Sequence, residues 1–226
     1  MAMPERVSRY RDREDAGRVL ASRLKGSLGE DAVILAIPNG GVAVGASMAG
    51  GLGLELYLMV VRKIQFPENP EAGFGAVGGD GTVVLDERLL QYRGLSDALI
   101  EAQKEKALRS VQERLRRFGD RARLPPLTDR TVILVDDGLA TGSTMEAAVS
   151  IVKSHRPRSM LVGVPTASHR AWQRIRPLVD DLICPDISRL PFFAVAEAYE
   201  RWYDVSEEEV IRLLDSLPVS PAKAPG

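Results

Sequence analysis

Val132 to Thr144 reads VILVDDGLATGST, and this stretch decides the fold. Four apolar residues mark a buried strand, Asp136 and Asp137 stand at its C-terminal end, and a turn of small residues then opens a helix. Ligands of open α/β sheets bind at that edge. In the turn Ala140, Thr141, Gly142, Ser143 and Thr144 let several main-chain N–H groups converge, with three hydroxyls and the positive end of the next helix beside them. That is a socket for a phosphate dianion. Two acids next to it would only repel a lone phosphate. They make sense facing a neutral diol attached to it, because carboxylates accept hydrogen bonds from hydroxyls well, and a ribose 5-phosphate has that arrangement. A Walker A loop is excluded, since three residues rather than four separate Gly138 from Gly142 and no lysine precedes Ser143. GxGxxG is absent from both glycine clusters, Asn39 to Gly45 and Gly50 to Gly53.

Outward from this unit, strand and helix patterns alternate. Apolar runs at 32–37 (AVILAI), 54–61 (LELYLMVV), 131–135, 160–164 and 181–184 lack the polar alternation of a half-exposed strand. Helical patterns cover 12–25, with Ala16, Val19, Leu20 and Leu24 on one face, then 42–52, 142–154 and 168–176, and a capping-box start at Ser206 opens a last helix. The expectation is an α/β fold: a Rossmann-like open parallel sheet of about five strands with flanking helices, in a single domain over residues 1–226. Gln65 to Gly81, with two prolines and five glycines, reads as a mobile loop that can include a twisted hairpin whose second strand is 82–85. From Ser96 a long helix is expected to Phe118, with Ile100, Leu108, Val111, Leu115 and Phe118 on one stripe. A docked, solvated helix and a recognition element both fit that pattern. The Pro- and Ala-rich end from Pro218 reads as frayed.

Thirty Lys and Arg against thirty-one Asp and Glu give a net charge of -1, which argues against a nucleic-acid partner. Cys184 is the only cysteine, so neither an intramolecular disulfide framework nor a cysteine-rich zinc site is available. The N-terminal MAMPERVSRYRDRED lacks the apolar region of a signal peptide, and no run approaches the ~18 to 20 apolar residues of a membrane span, so a cytoplasmic location without a membrane partner is expected. His155 and His169, the only histidines, read as surface residues near helix ends with no metal-ligand spacing, and GxSxG is absent.

The strand, acid pair and turn resemble the type I phosphoribosyltransferases, whose hallmark is a strand, two acids and a TGxT-like turn. The resemblance covers roughly residues 31–184. It implies that Asp136 and Asp137 hold the ribose hydroxyls of phosphoribosyl pyrophosphate (PRPP), and that residues 140–144 hold its 5-phosphate. It makes Ile37 to Gly41 a pyrophosphate loop, with Asn39, Gly40 and Gly41 at the leaving group and a cis peptide at Pro38–Asn39. Arg62 would join them, and Lys63 would face pyrophosphate as a catalytic residue with the two acids. An ordinary solvated Arg62–Lys63 pair is the plainer alternative. Asn39 stands where relatives often carry a basic residue, and Ala140 where relatives acting on 6-oxopurines carry an acid.

Three further parts follow from the resemblance: a flexible flap at 65–81, a helical insertion at about 87–118 and a small base-binding hood at about 184–217. Glu68, Asn69 and Glu71 would enter the site when the flap closes, or else be merely solvated. Phe192 and Phe193, with Trp202 and Tyr203, would stack on a base unless they pack in the core. Mg²⁺ would come bound mainly through PRPP. The implied activity is that of a PRPP-dependent pentosyltransferase of nucleotide metabolism, passing the phosphoribosyl group to a nucleobase-like acceptor, in a homodimer. The alternatives are a PRPP-sensing regulator without catalysis and a sugar-phosphate hydrolase or binding module.

Overall fold

A computed structural model describes residues 9–217; the frayed end expected from Pro218 lies outside the described residues. Helix α1 (Arg13–Leu24) starts at Asp12, whose carboxylate accepts from the Asp15 amide. Strand β1 (Val33–Ala36), helix α2 (Gly40–Leu52) and strand β2 (Glu55–Leu58) follow. Strands β3 (Val61–Phe66), β4 (Asn69–Gly78) and β5 (Val83–Leu85) precede two helices, α3 (Glu87–Arg93) and α4 (Asp97–Phe118). The second half runs β6 (Thr131–Val135), α5 (Ser143–Ser154), β7 (Ser159–Gly163), β8 (Thr166–Ser168), α6 (His169–Ile175), β9 (Asp181–Ile183), β10 (Asp186–Ser188) and α7 (Glu207–Ser216).

Five strands form the expected parallel sheet, in the order β2-β1-β6-β7-β9. Alternate residues face opposite sides, and both sides are covered. Val33, Leu35, Val132, Leu134 and Val162 pack against residues of α5 and α6, among them Met145, Val149, Val152 and Ile175. Ile34, Ile133 and Val135 pack against Leu20, Leu24, Val44 and Met48 of α1 and α2. This burial on both faces is why the strands read as unbroken apolar runs.

The run at 54–61 is two strands. β2 stays in the parallel sheet, and the Met59 amide still donates to Ala36 O at 2.8 Å, after which the chain leaves to begin β3. Met59 and Val60 are buried at the crossing, so hydropathy gives no sign of the break. The glycine-rich stretch forms an antiparallel sheet, β3-β4-β5. Gly73 and Gly75 lie within it because neighbouring carbonyls leave no room for a Cβ: one built there would sit 2.9 Å from Ile64 O and 2.5 Å from Val84 O. Strand 83–85 is the second strand of the β4–β5 hairpin, as expected, and the third strand of the small sheet.

Residues 87–118 form α3, closed by left-handed Gly94, and α4, capped by Ser96. Ala107, Val111 and Phe118 of α4 pack on Phe66 and Phe74 of the small sheet. The two-stranded β8–β10 pair is too short to show in the sequence; its Thr166 hydroxyl donates to buried Asp186 at 2.7 Å. His155 ends α5 against Asp80 at 2.7 Å, and His169 begins α6. No helix among the described residues is long and apolar enough to cross a membrane.

Candidate active site

The chain leaves β1 toward β2 on one side and β6 toward β7 on the other, so a crevice opens between their C-terminal ends. The loop after β1 and the acids after β6 meet there. A cavity of about 290 Å³ is lined by residues 37–40, 59–62, Arg114, Asp136, Asp137 and Thr144. The structure therefore brings together Asn39, Gly40, Arg62, both acids and Thr144 at one end of the 140–144 turn. The Pro38–Asn39 peptide is cis, at the position the resemblance implied.

Both acids are tightly held. The Asp137 amide donates to Asp136 Oδ1 at 2.9 Å, and Asp137 Oδ2 accepts from Arg13 Nε at 2.9 Å. Arg13 is only 6% exposed at its side chain and Asp137 17%. The guanidinium also donates to Tyr203 O at 2.9 Å and lies 3.9 Å from the centre of the Trp202 ring. Tyr199 closes the cluster, donating its hydroxyl to Asp137 O at 2.6 Å. Burial pushes the Asp136 carboxyl well above the usual carboxylate range, and the charge of Asp137 adds to the shift. Asp137 is raised too, chiefly by burial, with Arg13 pulling the other way.

Glycine is required after Asn39 by this packing. A Cβ at Gly40 would fall on the Asp137 carboxylate, and one at Gly41 would lie 2.8 Å from Val135 O. The same two residues begin α2, which has no acid in its first turn and no side-chain cap. The helix thus presents its positive end to the cavity.

Residues 140–144 form a tight turn. Gly142 adopts φ +75°, left-handed backbone that only glycine takes without strain. The carbonyls of Ala140 and Thr141 turn outward to Ser168 Oγ at 2.7 Å and Arg174 Nη1 at 3.2 Å. Thr141 and Ser143 hydroxyls lie 2.9 Å apart, and α5 begins without a side-chain cap. Lys63 reaches this turn, donating Nζ to Ser143 Oγ at 3.0 Å, whereas its neighbour Arg62 lines the cavity with the loop. The pair therefore divides between the two ends of the site.

Phe192, Phe193, Trp202 and Tyr203, which the resemblance set over a base, do not line the cavity. Phe192 is 75% exposed, Trp202 is stacked on Arg13, and Tyr203 donates its hydroxyl to Glu209 at 2.6 Å. Phe193 is partly buried, and Glu71 lies where side chains are not described.

Two residues that sequence reasoning missed are Arg13 and Arg114. Arg114 projects from α4, donates to Asn39 Oδ1 and lines the cavity; Asn39 in turn donates to Val205 O at 2.8 Å. Each arginine lies on the apolar stripe of its helix, the one signal that pointed to a buried partner.

Comparison with known proteins places this geometry. Two Mycobacterium tuberculosis proteins, from strains CDC 1551 and H37Rv, whose phosphoribosyl transferase names are provisional, are 37% identical over 206 residues. The match covers 91% of this chain and 46% of theirs, so the chain spans about half the length of these relatives. The crystal structure of TT1426 from Thermus thermophilus superposes with a TM-score of 0.82 at 37% identity, over 91% of this chain and 97% of that one. The family model described as the phosphoribosyl transferase domain matches residues 6–200, and the chain belongs to that family.

Proposed function

We propose that the protein transfers the 5-phosphoribosyl group of PRPP to a nitrogenous base and releases pyrophosphate. One observation carries this reading: the acid pair stands between two uncapped helix N-termini, α5 at the phosphate turn and α2 at the opposite loop. PRPP has the matching order of charge, with phosphate, neutral diol and pyrophosphate in line.

In this reading the α5 turn and Lys63 anchor the 5-phosphate, and the acids accept hydrogen bonds from the ribose hydroxyls. Displacement at C1 builds positive charge on the ring and negative charge on the leaving group. Asp136 and Asp137 offset the first, while the α2 N-terminus and Arg62 stabilise the second. Hydroxyl donors and a cationic ring both favour the ionised form of Asp136, so ligand binding opposes the upward shift that burial causes. Among the described residues no three His, Cys, Asp or Glu side chains converge as a metal cage. Two carboxylates beside a diphosphate site are a donor set that suits Mg²⁺ when substrate oxygens complete its shell. Bound that way, Mg²⁺ supplies charge neutralisation at the pyrophosphate.

The test is pyrophosphate release from PRPP and Mg²⁺ across a panel of nucleobases. Base-dependent release supports transfer. Tight PRPP binding without release under any base would replace this reading with that of a sensor. Asp137→Asn is expected to fold normally and lose on the order of 100-fold or more in turnover, and near-wild-type turnover contradicts the assignment.

A further inference from the structure

Arg62 and Arg114 approach the same cavity from different elements, β3 and α4. Neither has a carboxylate within 4 Å among the described residues. Arg62 donates Nε to Ser110 Oγ at 3.1 Å and Nη1 to Val61 O at 3.2 Å, both neutral acceptors. Arg114 donates one Nη to Asn39 Oδ1, also neutral, and its Nε is buried without a hydrogen-bond partner. Burial disfavours the charge on both guanidiniums, and Arg62 further disfavours that on Arg114. Glu207 favours the charge on Arg114 but is itself paired with Arg117, and Asp136 and Asp137 line the cavity without contacting either guanidinium. Two desolvated cations that repel each other and touch no carboxylate are costly, and an anion with several oxygens is the compensation such a pair is built for. The uncapped N-terminus of α2 faces the same space.

We infer that Arg114, carried by the helical insertion and aimed by Asn39, is a binding residue for the diphosphate group, acting with Arg62 on the leaving-group side of the cavity. The inference rests on the phosphoribosyl-transfer reading and extends it, because it gives α4 a part in the site. Asn39 has no charge of its own. It accepts from Arg114 while donating to Val205 O, so the loop is fixed between α4 and the hood, with the guanidinium held over the cavity.

The experiment is calorimetric titration of the full chain with two separate probes in Mg²⁺, inorganic pyrophosphate and ribose 5-phosphate. Arg114→Gln is expected to weaken pyrophosphate about 30-fold, the loss of one charge-assisted contact, and to leave ribose 5-phosphate within about twofold. Arg114→Lys, which keeps the charge without the planar fork, should fall between. If Arg114→Gln binds both probes as the wild type does, the inference fails and the phosphoribosyl-transfer reading stands. Equal loss of both probes makes Arg114 a structural prop and likewise overturns it. If the wild-type chain binds pyrophosphate but not ribose 5-phosphate, the phosphoribosyl-transfer reading fails instead.

Discussion

Replacing Arg13 with Met tests whether the ion pair under the acid pair holds the site together. Met keeps much of the apolar stem beside Trp202 and removes the charge, leaving Asp137 next to Asp136 without its cation. Breaking a buried pair from one side costs about 3–5 kcal/mol, and because Asp137 keeps 17% exposure the lower end, about 3 kcal/mol, is expected. For a domain of this size that is a drop in Tm of about 6–12 °C. The loss should depend on pH. Arg13 favours the ionised form of Asp137, but burial still leaves that carboxyl raised, so the benefit is present where Asp137 is charged and fades as the pH falls through the raised folded value, above the ordinary carboxylate value near 4. What persists at low pH is the guanidinium's contact with the Tyr203 carbonyl and the Trp202 ring, about 1–2 kcal/mol. Urea unfolding of wild type, Arg13→Met, Asp137→Asn and the double variant at pH 4 and 7 closes the cycle, with a coupling of about 1–2 kcal/mol at pH 7. A loss below about 0.5 kcal/mol, or one equal at both pH values and in the Asp137→Asn background, refutes the reasoning.

Within α2, Gly40→Ala drives a methyl onto the Asp137 carboxylate, so a loss of about 1–3 kcal/mol and weakened PRPP binding are expected. Gly50→Ala in the same helix meets nothing within 4 Å and should stabilise by about 0.5–1 kcal/mol; thermal unfolding of the two variants should move in opposite directions. The Asp136 carboxyl is raised by burial, so the stability it contributes is complete below the unfolded carboxylate value and is lost as pH rises through the folded one. Asp136→Asn should therefore gain on the wild type between pH 4 and 8 in denaturant midpoints, and a constant gap would contradict the assigned burial cost. The Cys184 thiol is pushed up to about 12, mainly by burial, and donates to Asp186 O at 3.2 Å. Its labelling by a disulfide reagent at pH 8 should be slower in the folded than the unfolded chain, on the order of a thousandfold, and comparable rates would show the thiol to be accessible.

How much of this was legible in the sequence depends on how far apart the cooperating residues lie. The strand, acids and turn at 132–144 are contiguous, so local pattern alone suggested a phosphate socket beside a diol site, and the parallel sheet followed from its apolar strands. The split of 54–61 was hidden because Leu58 to Val61 are all buried across it, so hydropathy is unbroken where the chain passes from one sheet to the other. Of the glycines at 65–81, Gly73 and Gly75 are required by close approach of neighbouring carbonyls and Gly81 by its left-handed turn, causes that composition does not separate. Arg13 meets Asp137 across 124 residues and Arg114 meets Asn39 across 75, distances at which no motif records a contact. Yet each left a mark. Arg13 precedes Ala16, Leu20 and Leu24 at steps of three, four and four, and Arg114 stands three after Val111 and four before Phe118, so both fall where the helix turns its apolar face inward. A cation there cannot be left unpaired without heavy cost. The apolar periodicity identified the helices, and the charged residues that interrupt it on the buried side identify what those helices bring to the site: one cation already bound to a carboxylate, and one held only by neutral acceptors.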